Sequence, residues 1–243
     1  MTTNRVTAIL PAAGLGTRMG AETPKQFLEL DGVPVLIFTL RRLSACPAIT
    51  DFIIATRAEE VDSLASRLAQ ENIGRPFCVV RGGDTRQDSV ANALAGISVN
   101  AELILVHDAV RPLVTRDQIE RVIAEAAICD AAILGIPAMD TVKEVKRATP
   151  QSGGADVALI TATIPRERVV LAQTPQVFRA SLLLEAFARA RQDCVSASDE
   201  AGLVERIGHD VHVVAGSDRN LKITRPGDMQ LAEFYLREER AAQ

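Results

Sequence analysis

The chain has 243 residues, 47% of them hydrophobic and 24% charged, with a formal net charge of −4. This is the composition of a folded globular protein rather than a disordered one, and no apolar run approaches the ~20 residues that span a bilayer. The acidic balance argues against a broad nucleic-acid-binding surface, so any anion site must be a local concentration of cations.

The first element is an apolar run, "VTAIL" from Val6, which leads into the glycine-rich stretch "PAAGLGTRMGAETPKQF". No long apolar segment with a cleavage site precedes it, so a secretory signal is not expected and the cytoplasm is the anticipated compartment. Gly14, Gly16 and Gly20 form G-x-G-x-x-x-G, one residue too long for the dinucleotide fingerprint, and Ala21 stands where a Walker loop needs lysine. What remains is a loop whose backbone N–H groups can approach phosphate closely, with Arg18 and Lys25 beside it. Arginines and lysines are also the commonest solvated surface residues, and the loop alone leaves that alternative open.

Further apolar runs follow at "DFIIAT" (Asp51), "FCVVRG" (Phe77), "ELILVHD" (Glu102) and "AAILGIP" (Ala131). Helical periodicity separates them near Val33–Leu43, Glu59–Gln70, Ser89–Leu94 and Gln118–Ala127. The alternation predicts an α/β fold, a Rossmann-like, mostly parallel sheet flanked by helices, with ligands at the carboxyl ends of the strands. No carboxylate suited to a ribose follows the second run, where Arg57 stands instead, which argues against a nicotinamide-binding oxidoreductase.

Between Pro137 and Val170 the rhythm fails. Two β-branched runs flank "TPQSGGAD", which predicts a hairpin. Two strands alone are marginally stable, so the hairpin packs either on its own domain or on another copy of the chain. Beyond it, "FRASLLLEAFARAR" reads as a helix and "HDVHVVAG" as a strand. "RPGDMQLAEFYLREER" reads as a closing helix opened by a proline. The spacing of His209 and His212 on a strand would put their rings on opposite faces, and both are read as structural. Cys46, Cys78, Cys129 and Cys194 show no paired spacing; they are expected to be buried thiols rather than a zinc or disulfide frame.

The stretches "LPAAGLGTRMGAETPKQFLELDG", "RGGDTRQDSV", "LVHDAVRPLV", "DTVKEV", "AQTPQVF", "SDEAGLVE" and "NLKITRPGDMQLAE", in that order, resemble the 2-C-methyl-D-erythritol 4-phosphate cytidylyltransferases over essentially the whole chain. Departures are Val110, where the family more often has alanine, and a longer arm. The resemblance implies one nucleotidyltransferase-type domain over 1–243, with 138–166 an inserted β-arm for dimerisation. It also implies transfer of a cytidylyl group from CTP to methylerythritol phosphate, with pyrophosphate released, in isoprenoid precursor synthesis.

By the same resemblance, Arg18, Lys25, Lys222 and Arg166 are the catalytic cations, and the backbone from Ala12, Ala13 and Gly14 to Gly16 holds the triphosphate. Gly83, Asp84 and Ser89 read cytosine, with Asp84 alternatively capping the helix that begins near Arg86. Asp108 is the candidate Mg2+ ligand, alternatively a helix cap or a partner for Arg111. Arg111, Thr141, Arg166, Thr174 and Lys222 are expected to hold the second substrate, with Arg166 serving the site of the other subunit of a homodimer. Rival readings are a cytidylyltransferase acting on ribitol 5-phosphate and a catalytically silent nucleotide-binding protein. The paired cations Arg18 and Lys25 argue against the silent reading, since a sensor has no use for groups that act on developing charge.

Overall fold

The structure is a computed structural model that describes residues 5–14, 25–148 and 157–241. Gly16, Arg18 and Gly20, together with the "TPQSGGAD" turn, lie outside the described residues. The chain begins with strand β1 (Val6–Pro11), followed by a 3-10 turn at Lys25–Phe27 and the small pair β2 (Glu29–Leu30) and β3 (Val33–Pro34). Next come α1 (Val35–Ser44), β4 (Ile49–Thr56), α2 (Val61–Gln70), β5 (Phe77–Arg81), α3 (Arg86–Leu94), β6 (Leu103–Val106), α4 (Arg116–Cys129) and β7 (Ala131–Pro137). Strands β8 (Val142–Ala148) and β9 (Val157–Ile164) precede β10 (Val170–Arg179), and α5 (Ala180–Gln192), α6 (Glu200–Arg206), β11 (His212–Ala215) and α7 (Pro226–Ala241) complete the order.

The seven-stranded sheet has the order β11-β7-β10-β6-β1-β4-β5. Every pairing in it is parallel except those of β10, which runs antiparallel to both β6 and β7. Strands β1 and β6 are near-continuous apolar runs, broken only by the buried Thr7, because both sheet faces are covered. Ala8 and Leu10 of β1 point into one core with α1, α2 and α4. Ile9, between them, points into the opposite core with α3, α5 and α6, as the two-residue period of a strand requires. A third cluster joins α7 to β2 and the start of α1 through Leu30, Val35, Ala232 and Leu236. Among the described residues no helix is long and apolar enough to cross a membrane.

Several expectations need correction. Val170–Arg179 is a full sheet strand, whereas the sequence assigned its first residues to the hairpin and its last to a helix. Helix α5 begins only at Ala180, and α6 was not anticipated. Strand β11 starts at His212, so His209 lies outside it and the opposite-faces argument does not apply. Of the cysteines only Cys46 is buried; Cys78 and Cys194 are exposed and Cys129 is intermediate.

The expected hairpin is present. β8 and β9 pair antiparallel in a sheet of their own. Val145, Leu159 and Ile160 on these strands are at least half exposed, at 53%, 51% and 64%.

Helix α4, whose apolar stripe covers the sheet near β6 and β7, opens on a reciprocal cap. The Thr115 hydroxyl accepts from the Gln118 N–H at 3.3 Å, and the Gln118 side chain accepts from the Thr115 N–H at 3.0 Å. Thr115→Ala is expected to lower unfolding free energy by about 1 kcal/mol, measured by urea denaturation; an unchanged midpoint would show that water replaces the cap without loss.

Candidate active site

The carboxyl ends of β1 and β6 and the loop after β5 surround a cleft lined by Ala12, Gly14, Asp84, Arg86, Asp108 and Lys222, among others. On the β1 side, the Ala12 N–H donates to Ala55 O at 2.7 Å, and the buried Gln26 amide donates to Ala12 O at 2.7 Å. The start of the glycine loop is therefore fixed at both backbone atoms of Ala12.

The loop after β5 is held just as tightly. A Cβ at Gly83 would lie 2.3 Å from the Asp88 Cβ, and one at Gly82 would lie 2.7 Å from the Ala13 Cβ. These positions are glycine because α3 and the β1 loop crowd against them. Ser89 is buried, with its hydroxyl accepting from the Gly83 N–H at 3.1 Å and donating to Thr85 O at 2.9 Å. The cap of α3 is Thr85, in a capping box with Asp88, so the alternative in which Asp84 caps this helix does not hold. That leaves the Asp84 side chain free of the capping duty while it lines the cleft.

At the end of β6 lies Asp108, 6% exposed. Its Oδ1 faces Arg86 Nε at 3.3 Å, and its Oδ2 faces both Arg111 Nε at 3.2 Å and Lys222 Nζ at 3.0 Å. Burial by itself would raise this carboxyl, but Lys222, Arg86 and Arg111 outweigh burial and hold it well below the usual carboxylate range. Arg86 in turn reaches Glu200, 1% exposed at the start of α6, with Nη1 at 2.7 and 2.9 Å from the two carboxylate oxygens. Burial raises the Glu200 carboxyl and Arg86 opposes it. The two buried carboxylates face three cations, a local excess of positive charge.

Lys222 is positioned by the residues on either side of it. The Asn220 amide donates to Thr174 O at 2.9 Å, Arg111 Nη1 donates to Asn220 O at 2.7 Å, and the Ile223 N–H donates to Val110 O at 2.9 Å. Arg111 is thus buried in bracing Asp108 and the Lys222 segment. The Thr174 hydroxyl is buried too, accepting from the Asp108 N–H at 3.0 Å.

Thr141 and Arg166 do not line this cleft of their own chain. Both are exposed at the base of the hairpin, where Arg166 Nη1 donates to Met139 O at 2.8 Å. Arg86, Glu200, Gln26 and Asn220 were not singled out from sequence. Arg86 and Glu200 lie within stretches that carried the resemblance, but their pairing spans 114 residues and leaves no local signal.

His107, fully buried behind Asp108, fixes the rear of the site. Its Nε2 lies 3.1 Å from Arg111 O and its Nδ1 3.1 Å from the Thr174 hydroxyl. The neutral tautomer satisfies every atom: Nε2–H donates to the carbonyl, and the hydroxyl donates to Nδ1 while accepting from Asp108. Burial pushes the imidazole down to about 4 from an ordinary 6.5. The unfolded chain therefore binds this proton near pH 6.5 and the folded chain only near pH 4. Stability from His107 is present above pH 6.5 and lost as pH falls toward 4, on the order of 3 kcal/mol in full. Urea midpoints measured across that window should fall on acidification, and His107→Gln should flatten the slope. An identical slope in the variant would assign the pH dependence to other groups.

The chain matches, over residues 6–238, the model of the family described as IspD, 2-C-methyl-D-erythritol 4-phosphate cytidylyltransferase. A protein of that name from Acidobacterium capsulatum is 52% identical over 240 residues, covering 96% of this chain and 98% of its own. Another from Solibacter usitatus is 49% identical over 244 residues, covering 98% of each. Among solved structures, the 2-C-methyl-D-erythritol 4-phosphate cytidylyltransferase of Thermus thermophilus is similar with a TM-score of 0.74 and 34% identity, covering 96% of this chain and 99% of that one. The 4-diphosphocytidyl-2C-methyl-D-erythritol synthase of Anaerococcus prevotii has a TM-score of 0.81 at 27% identity, covering 97% and 99%.

Proposed function

The chain belongs to the 2-C-methyl-D-erythritol 4-phosphate cytidylyltransferase family, and from that premise we propose how its residues divide the work of the reaction. The enzyme transfers a cytidylyl group from CTP to 2-C-methyl-D-erythritol 4-phosphate and releases pyrophosphate. The attacking phosphate monoester has a second pKa of about 6, so at neutral pH it is largely a dianion and needs no general base. What opposes reaction is repulsion between polyanions, in-line placement, and charge gathering on the α-phosphate and the leaving pyrophosphate.

In this reading the triphosphate lies along the backbone of Ala12, Ala13, Gly14 and Gly16, with Arg18 and Lys25 answering the charge that develops. Cytosine is read by the loop Gly83–Ser89, where Asp84 offers an acceptor to the exocyclic amine. Lys222 meets the acceptor phosphate, while Arg111 and Thr174 act by holding Asp108 and the Lys222 segment in place. The observation that carries the reading is the Asp108 cluster, which leaves Arg86 and Lys222 fixed at the cleft wall with net positive charge.

Mg2+ completes the reading as a companion of the nucleotide. Both oxygens of Asp108 already face cations, so Asp108 does not fit as a protein ligand for Mg2+, whereas triphosphate oxygens are the hard ligands Mg2+ prefers. No step here depends on it.

We treat residues 1–243 as one nucleotidyltransferase domain, with 138–166 an arm that crosses to a second copy. The exposed Met139, Val145, Leu159, Ile160 and Ile164 supply an apolar surface for the partner. Arg166 and Thr141 then enter the partner's cleft. The highly charged substrates suit a cytoplasmic reaction.

Pyrophosphate release with each nucleoside triphosphate and each candidate polyol phosphate tests the substrate assignment; activity only with a pentitol phosphate would overturn it. Lys25→Ala should slow turnover by roughly 10²–10³ with a smaller effect on nucleotide binding; an unchanged kcat removes Lys25 from the mechanism. Arg18→Ala and Arg166→Ala chains, each inactive alone, should regain about a quarter of wild-type activity when mixed equally, because half the dimers then carry one intact shared site. No recovery despite verified exchange of subunits would place Arg166 in its own chain's site.

A further inference from the structure

Away from the cleft, on the face where α4 meets the edge strand β11, three different metal-binding side chains converge. Glu125 and Cys129 are one helical turn apart on α4 and so share a face. His212, the first residue of β11, comes to the same point. A ligand atom from each lies within 4.8 Å of the other two, the one such group among the described residues. We propose that Glu125, Cys129 and His212 form a binding site for Zn2+, separate from any cation that accompanies the nucleotide.

The donor set selects the metal. A thiolate, an imidazole nitrogen and a carboxylate oxygen together suit a borderline-soft ion; Mg2+ and Ca2+ demand all-oxygen surroundings. With the thiol ionised, two negative charges balance the dication, and one coordination position is left for water. Zinc–ligand distances of about 2.0–2.3 Å place tetrahedral ligand atoms roughly 3.4–3.6 Å apart.

His212 Nδ1 and Glu125 Oε1 are 2.6 Å apart, so a hydrogen bond occupies the line where the ion would enter, and the two must separate by about 1 Å to admit it. Both side chains are partly exposed, at 50% and 37%, and have room to do so. The Cys129 Sγ lies 3.1 Å from Glu125 O and 3.2 Å from Ala131 O; its single S–H can donate to only one of them, and on ionisation the sulfur must turn away from both carbonyls toward the ion. Metal binding must expel the thiol proton and so strengthens with rising pH.

The site would pin an edge of the sheet. Among the described residues β11 pairs only with β7, and Arg121 Nη1 donates to Ala215 O at 3.2 Å at its far end. A zinc ion at His212 fastens the near end to the same helix. The chain then continues through Gly216 and Ser217 to Asn220 and Lys222, so the pinned strand leads directly into the cleft-wall segment.

Cobalt titration of the full-length, metal-stripped protein tests this. One equivalent of Co2+ should produce the visible bands of a tetrahedral site and a near-ultraviolet thiolate charge-transfer band, both erased by Zn2+. Cys129→Ser should abolish the charge-transfer band. His212→Gln should weaken Co2+ binding by more than the roughly 10–100-fold typical of losing an outer-shell partner. A Cys78→Ser/Cys194→Ser double variant, which removes the exposed thiols, should titrate like the wild type. The proposal falls if no band forms at stoichiometric cobalt, if Cys129→Ser retains it, if His212→Gln binds as tightly as wild type, or if the double variant loses it.

Discussion

One buried carboxylate, Asp108, organises the cleft. Three cations approach its two oxygens from parts of the chain as distant as α3 and the segment before α7. A buried charge is tolerated only when it is well paired, and removing one partner from such a cluster leaves an uncompensated charge in a desolvated setting. Attraction to Asp108 therefore fixes Arg86, Arg111 and Lys222 before any substrate arrives. Preorganised positive charge is what a reaction between two anions needs most, because dipoles already aimed require no rearrangement as the barrier is crossed. Glu200 extends the cluster by holding the far side of the Arg86 guanidinium.

Behind Asp108 the fold supplies a polar spine with its donors and acceptors matched. The Asp108 N–H meets the Thr174 hydroxyl, that hydroxyl meets His107, and His107 meets the Arg111 carbonyl. The antiparallel strand β10 makes this possible. Running against its neighbours, it brings Gln173 and Thr174 to the end of the sheet where β1 and β6 finish, and Asn220 bonds to both residues. A wholly parallel sheet would have put the start of that strand at the opposite end.

The parallel half of the sheet was legible because its strands are near-continuous β-branched and leucine-rich runs, and the glycine-rich stretch after β1 was legible because its spacing excluded two commoner loops. Strand β10 was not, since its residues were divided between the hairpin and the following helix, and its pairing register with β7 shifts between Ala172 and Gln176. Asp108 and Lys222, which line the cleft, were singled out as candidate site residues through the ordered motifs. Their mutual contact, and the buried work of Arg111, Thr174 and Ser89, had no signature: a hydroxyl or guanidinium has the same letter whether it faces a ligand or its own backbone. Asp84 and Thr85 are a similar case, adjacent residues either of which suits an N-cap, with only the loop geometry deciding between them.

Strand β10 also has two audiences. Its first residues, Val170 and Leu171, are exposed beside the hairpin base, and a few positions later the same strand supplies Thr174 to the spine behind Asp108. Under the pairing proposed above, assembly and chemistry share one ribbon of backbone, and any preference of the substrate for the paired molecule must be returned as a preference of the pair for substrate, by the same factor. Dilution would then act as a regulator: thinning the protein until its copies part would loosen the grip on the acceptor without any inhibitor being present.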